Sequence, residues 1–136
     1  MANLTEICKE LVEGTPEAIA ANVVDLNSGL MLGGYFTSDF TTDHFEAVSA
    51  AATNLYRGKE TLRVEELVKA QRGDTSDQHF MQEVQFSTTN LLHFIKQLPE
   101  RNSIVCLVTR KPGNVGMGWA SLKAFLPRIA PLVPNG

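Results

Sequence analysis

Apolar residues recur along this chain with two different periods, and the switches between them lay out its elements. Leu4, Ile7, Cys8, Leu11 and Val12 repeat at intervals of three and four, which gathers them on one face of an α-helix. Gly14-Thr15-Pro16 ends that helix, because Pro16 brings no N–H to the ladder and Gly14 accepts positive φ. Two apolar runs, 18–26 and 30–36, then flank the polar knot Asp25-Leu26-Asn27-Ser28-Gly29, as in a β-hairpin. Gly33 and Gly34 inside the second run mark a bulge or a close backbone approach. Thr41, Thr42 and Asp43 open a long helical stretch, a hydroxyl capping free N–H groups and Asp43 complementing the dipole. Phe45, Val48, Ala52 and Leu55 form its apolar face, with Ala47, Ala50 and Ala51 beside it. Gly58 interrupts the pattern, which resumes to Arg72, so the spacing predicts one bent helix or two helices joined near Gly58.

Three strand-like runs follow the polar loop 73–77. Residues 79–86 alternate, with Phe80, Val84 and Phe86 on one face. Residues 91–98 come next, then 103–109, SIVCLVT, whose nearly unbroken apolar character marks a central strand covered on both sides. The links 87–90 and 99–102 are short, so these strands pair antiparallel. Asn114 caps a last helix from Val115 to about Leu126, ending before Pro127, and 127–136 reads as a loose tail. The order α-β-β-α-β-β-β-α gives an α+β fold built on a five-stranded antiparallel sheet. At 136 residues the chain is expected to form one domain, 1–136, with a core that needs no disulfide or metal.

The net charge of −3, with Lys and Arg dispersed, gives no phosphate-binding face and argues against nucleic acid. No apolar run approaches the roughly 18 residues of a membrane span, and the acidic start MANLTEICKELVEG is unlike a secretory signal. Cys8 and Cys106 read as buried thiols in a reducing compartment, and the protein as cytoplasmic.

Candidate chemistry is sparse. His44, His79 and His93 have no ligand-spaced partner, so no metal site is expected. No Gly-x-Ser-x-Gly elbow is present, and an apolar strand raises and hides the Cys106 thiol. The stretch 113–118, GNVGMG, precedes a helix but has neither dinucleotide nor P-loop spacing; a helix end packed on the sheet explains it, with a weak anion site as the alternative. In VVDLNSGLML, Asp25, Asn27, Ser28 and Gly29 each have a role in turning the chain. A hydrolase using Ser28 or Cys106 would need a histidine in reach, His93 being the one to check. No cofactor is implied and no catalytic residue is assigned.

VVDLNSGLML nevertheless resembles the first hairpin of the Roadblock / dynein light chain family. CLVTRKPGNVGMGWASLKAFLPRI resembles that family's last strand, loop and helix, with Asn114 and Gly116 in its Asn-x-Gly pair and Asp25, Ser28 and Gly29 in its hairpin motif. The likeness spans about Leu4 to Leu126; the stretch 58–78 is longer than usual. It implies a profilin-like fold, the sheet between helices on both faces, and a homodimer or heterodimer built from the long helix and third strand. On that basis Phe45, Val48, Ala52, Leu55, Phe80, Gln82 and Val84 are the expected interface. The family is similar in working without catalysis, as scaffolds or regulators of small Ras-like GTPases, some in bacterial polarity and motility, or as adaptor chains in larger machines. A ligand-sensing profilin-like module is the other reading, which a thermal shift with a metabolite would reveal.

Overall fold

The computed structural model describes residues 3–37, 41–111 and 113–134. Asn3 starts helix α1 (Leu4–Gly14), its side chain accepting the Glu6 N–H at 2.9 Å, and Ile7, Cys8, Leu11 and Val12 are its buried face. Strands β1 (Ala18–Asp25) and β2 (Met31–Phe36) form the expected hairpin. Its register shifts between Val23 and Val24, and a methyl group on Gly33 would lie 2.6 Å from Leu4 Cβ. The glycine therefore allows both a bulge and the seating of α1 directly on the strand.

The long helical stretch is two helices, α2 (Thr42–Arg57) and α3 (Lys59–Arg72). Thr41 caps α2 by accepting the His44 N–H at 3.1 Å. Gly58 closes one helix through its N–H to Asn54 O (2.8 Å) and opens the next through its carbonyl to the Leu62 N–H (3.0 Å). Its own backbone is extended, at φ −66° and ψ 161°, which turns the chain without losing either ladder. Strand β3 (Glu83–Ser87) begins four residues later than the alternation from His79 predicts, because 79–80 are tied to α3. Strands β4 (Leu91–Gln97) and β5 (Ser103–Arg110) complete the sheet.

All pairings are antiparallel, in the spatial order β2-β1-β5-β4-β3. Strand β5 is central and buried from Ser103 to Thr109, as its apolar run requires. One sheet face carries Ala21, Val23, Phe94, Val105 and Leu107, covered by α1 and by α4 (Val115–Ile129). The other carries Val24, Ile95, Ile104 and Cys106 beneath Ala52 and Tyr56 of α2. Each fully buried Leu, Ile, Val or Phe adds about 1.5–3 kcal/mol, so both layers are needed. Cys8 and Cys106, free and buried, lie in the clusters on opposite faces.

The C-terminal expectation needs correcting. Helix α4 does not end before Pro127 but continues through it to Ile129, followed by a 3₁₀ turn at Ala130–Leu132. Pro127 removes one ladder donor, yet burial of Ile129 and Val133 in the core on this side carries the chain past it. Ile129 and Val133 thus anchor residues 127–133 to the core, while Pro127, Arg128, Pro131 and Leu132 stay exposed; Asn135 and Gly136 lie outside the described residues.

Candidate protein-interaction surface

The polar knot between β1 and β2 is a turn. Asp25 Oδ1 accepts the Asn27 N–H at 3.3 Å, Ser28 Oγ donates to Asp25 Oδ2 at 2.7 Å, and Gly29 donates to Asp25 O at 2.7 Å with φ +75°. The Ser28 hydroxyl donates to Asp25 and accepts the Leu30 N–H at 3.2 Å, so it is engaged on both sides within the turn. Asn102 bridges this end of the sheet, donating to Asn27 Oδ1 (2.6 Å) and accepting from Arg57 Nη2 (3.2 Å). Burial pushes the Cys106 thiol up to about 12, which leaves it protonated at neutral pH. Asn114 accepts the Met117 N–H at 2.9 Å and caps α4, and Gly116 stands in the first turn beside it. Among the described residues no three His, Cys, Asp or Glu side chains converge as metal ligands.

The surface that stands out lies between α2 and the β3 edge. His44, Val48, Ala51, Ala52 and Leu55 line one wall of an apolar groove of about 360 Å³; Phe86, Thr88, Leu91, His93 and Ile95 line the other. Phe86, directly opposite His93 in the β3–β4 register, stacks on its ring at 4.4 Å and 9°. Burial, then the nearby His44, lowers the His93 pKa, which favours the neutral ring that packs against an aromatic face. Leu55 and Phe86 remain 39% and 38% exposed. Among the described residues strand β3 pairs only with β4, which leaves its outer backbone groups to another strand.

Two tethers position this edge. Tyr56, wholly buried, donates its hydroxyl to Gln82 O at 2.8 Å and is 3.3 Å from Ile95 O. Glu65, buried in α3, accepts the Phe80 N–H through Oε2 (2.6 Å) and meets His79 Nδ1 through Oε1 (2.8 Å). Burial alone would raise the Glu65 pKa; the bonds to His79 and Phe80, with the charge of Arg57, bring it below the ordinary value instead. Lys69 and Arg72 lie over the Phe80 ring at 5.6 and 5.9 Å.

The expected interface is therefore split by the fold. Val48 and Leu55 line the groove. Ala52 lines it as well, although it is only 2% exposed and packs in the core; Phe45, equally buried, does not line it and packs edge-on to Phe36 at 4.9 Å. Phe80 packs beside α3, Gln82 accepts Tyr56 through its main chain while its side chain is exposed, and Val84 is half-buried against the cluster around Ile95. Sequence spacing missed that the buried stripe of α2 is Phe45, Ser49, Ala52 and Tyr56. Ser49 is hidden because its hydroxyl accepts from Asn22 Nδ2 (2.6 Å) and donates to Phe45 O (3.0 Å), a pairing no helix pattern reveals. His44, Ala51, Phe86, Leu91 and His93 were also missed as groove residues; the strand alternation that grouped Phe86 with Val84 was the available signal.

A five-stranded antiparallel sheet of this order, with α1 and α4 on one face and α2 on the other, is the Roadblock/LC7 fold. The chain is similar to the Roadblock/LC7 domain from Streptomyces avermitilis, with a TM-score of 0.71 at 15% identity over 96% of this chain and 97% of that one. It is similar also to MglB in a tetrameric arrangement, at 0.72 and 13% over 94% and 85%. The gliding protein MglB from Thermus thermophilus gives 0.70 and 13% over 94% and 86%. No protein-family model matches the sequence, and no curated protein sequence does.

Proposed function

We propose that the protein is a non-enzymatic, dimeric regulator or scaffold of a small Ras-like GTPase, working in the cytoplasm through protein–protein contacts. The observation that carries this is the apolar groove between α2 and the open edge of β3, on a Roadblock/LC7 fold. A second copy applied across that edge satisfies the β3 backbone and covers Leu55 and Phe86 in one step. Val48, Leu55, Phe86 and Val84 are the residues of this chain assigned to the contact. The similarity to MglB, one structure of which is a tetrameric arrangement, supports assembly. The GTPase follows from the family likeness of the two motifs. A partner of this kind acts by binding one nucleotide state of the GTPase more tightly than the other.

The test has two readings. Sedimentation velocity gives the mass; a monomer at tens of micromolar overturns the dimer. Tagged protein is then incubated in its own cell lysate with a non-hydrolysable GTP analogue or with GDP, and retained chains are identified by mass spectrometry. A Ras-like GTPase enriched with the analogue supports the regulator. Retention of no such GTPase in either state overturns it.

A further inference from the structure

Strand β2, the opposite edge of the sheet, is flanked by a concavity on each face. On the α2 side Leu30, Met31, Ala50, Thr53 and Glu46 line a cleft of about 670 Å³. On the α1 side Leu4, Glu6, Leu32 and Leu132 line one of about 630 Å³. Leu30 is 67% exposed, and Met31, Leu32 and Leu132 are each more than a third exposed, an apolar seam a chain normally hides. Among the described residues strand β2 pairs with β1 alone, so its outer side presents backbone donors and acceptors. Among the described residues the only charged groups lining the two clefts are Glu46 and Glu6, one in each.

We infer that this edge is a docking surface for an extended, basic segment of another protein, which adds a sixth strand beside β2. The geometry selects the conformation: side chains of an added strand point alternately to the two faces, so successive residues enter the two clefts in turn. The charge selects the composition: apolar residues for Met31, Leu32 and Leu132, with Lys or Arg placed for Glu46 and Glu6. A second copy of this chain fits less well, because its own two clefts are lined by carboxylates and no cation among the described residues, Lys9 lying instead over the Tyr35 ring. Neither the α2–β3 contact nor any GTPase is needed for this docking.

The test pans a random heptapeptide phage library against the purified chain. Enriched peptides are synthesised, and binding is followed by fluorescence anisotropy and amide hydrogen exchange. Alternating apolar and Lys/Arg sequences are expected, with new protection at residues 31–36. N-methylation of alternate peptide nitrogens should abolish binding, and Glu6→Gln with Glu46→Gln should weaken it roughly fivefold or more while leaving the circular dichroism spectrum of the folded chain unchanged. Absence of any enriched peptide, enrichment without basic residues, protection at 83–87 instead, or indifference to the two Gln substitutions would overturn the inference. So would protection of 31–36 that rises with protein concentration alone, which means self-pairing.

Discussion

Tyr56 ties α2 to both sides of the β3–β4 hairpin through one oxygen. Replacing it with Phe keeps the packing and removes the hydroxyl. Gln82 O still accepts the Gln97 N–H at 3.1 Å, so the loss should be near the net value of one hydrogen bond, about 1 kcal/mol, read from the urea midpoint. At Gly118 the constraint is space. An added methyl would come within 2.5 Å of Phe94 Cζ, and that buried ring is already wedged edge-on against Trp119 at 5.3 Å. Alanine gains about 1 kcal/mol of helix propensity but overpacking costs about 1–3 kcal/mol; Gly118→Ala is expected to lower the melting temperature. The two cysteines give a chemical check. Burial pushes both thiols up to about 12, so neither should react with a maleimide at pH 8 until denaturant is added. Reading them as inert core thiols needed only their apolar neighbours, whereas nothing in the sequence pointed to Tyr56 reaching a carbonyl 26 residues away.

Helix α2 presents two apolar stripes to two different surroundings, and substitutions should separate them. Phe45→Ala empties a core position and is expected to cost about 3–5 kcal/mol of stability. Leu55→Asp with Phe86→Asp changes two exposed residues of the groove; it should turn the proposed dimer into a monomer by light scattering, with little change in unfolding. The elements themselves were legible because α1, β1, β5 and the start of α2 carry strong period, cap and turn signals that agree with their burial. The rotation of α2 was not, since Val48 and Leu55 look as much like core as Phe45 and Ala52 until the sheet beneath is known. The delayed start of β3 was hidden for a related reason: Glu65, a charged residue on a helix, reads as solvent-facing, yet it is buried and holds 79–80 away from the sheet. Its pKa is held below the ordinary carboxylate value, so its contribution is complete above that ordinary value and disappears as pH falls through the lower folded one. Comparing urea midpoints for the native chain and Glu65→Gln should show a gap at pH 7 that closes in acid.

At the level of the whole molecule, two layers of helix enclose a sheet whose two edge strands, β2 and β3, each pair on one side among the described residues, one proposed to meet a second copy and one a foreign strand. The layered sheet itself was readable in outline from the order of elements and from the two motifs shared with the Roadblock likeness. The pairing that makes it hold together is between segments far apart in sequence: β5 is inserted between β1 and β4, so the last strand made is the middle one. Until that strand is made, β1–β2 and β3–β4 are the strand pairings open to the described residues, with nothing to join them. Neither is a domain in waiting, since a lone hairpin is marginal in water. The keystone arrives only when residues 103–110 leave the ribosome. A message cut short before Ser103 would yield no smaller working unit, only two open half-sheets exposed to chaperones and proteases, and a chain ending at Asn102 should show no cooperative unfolding transition by circular dichroism.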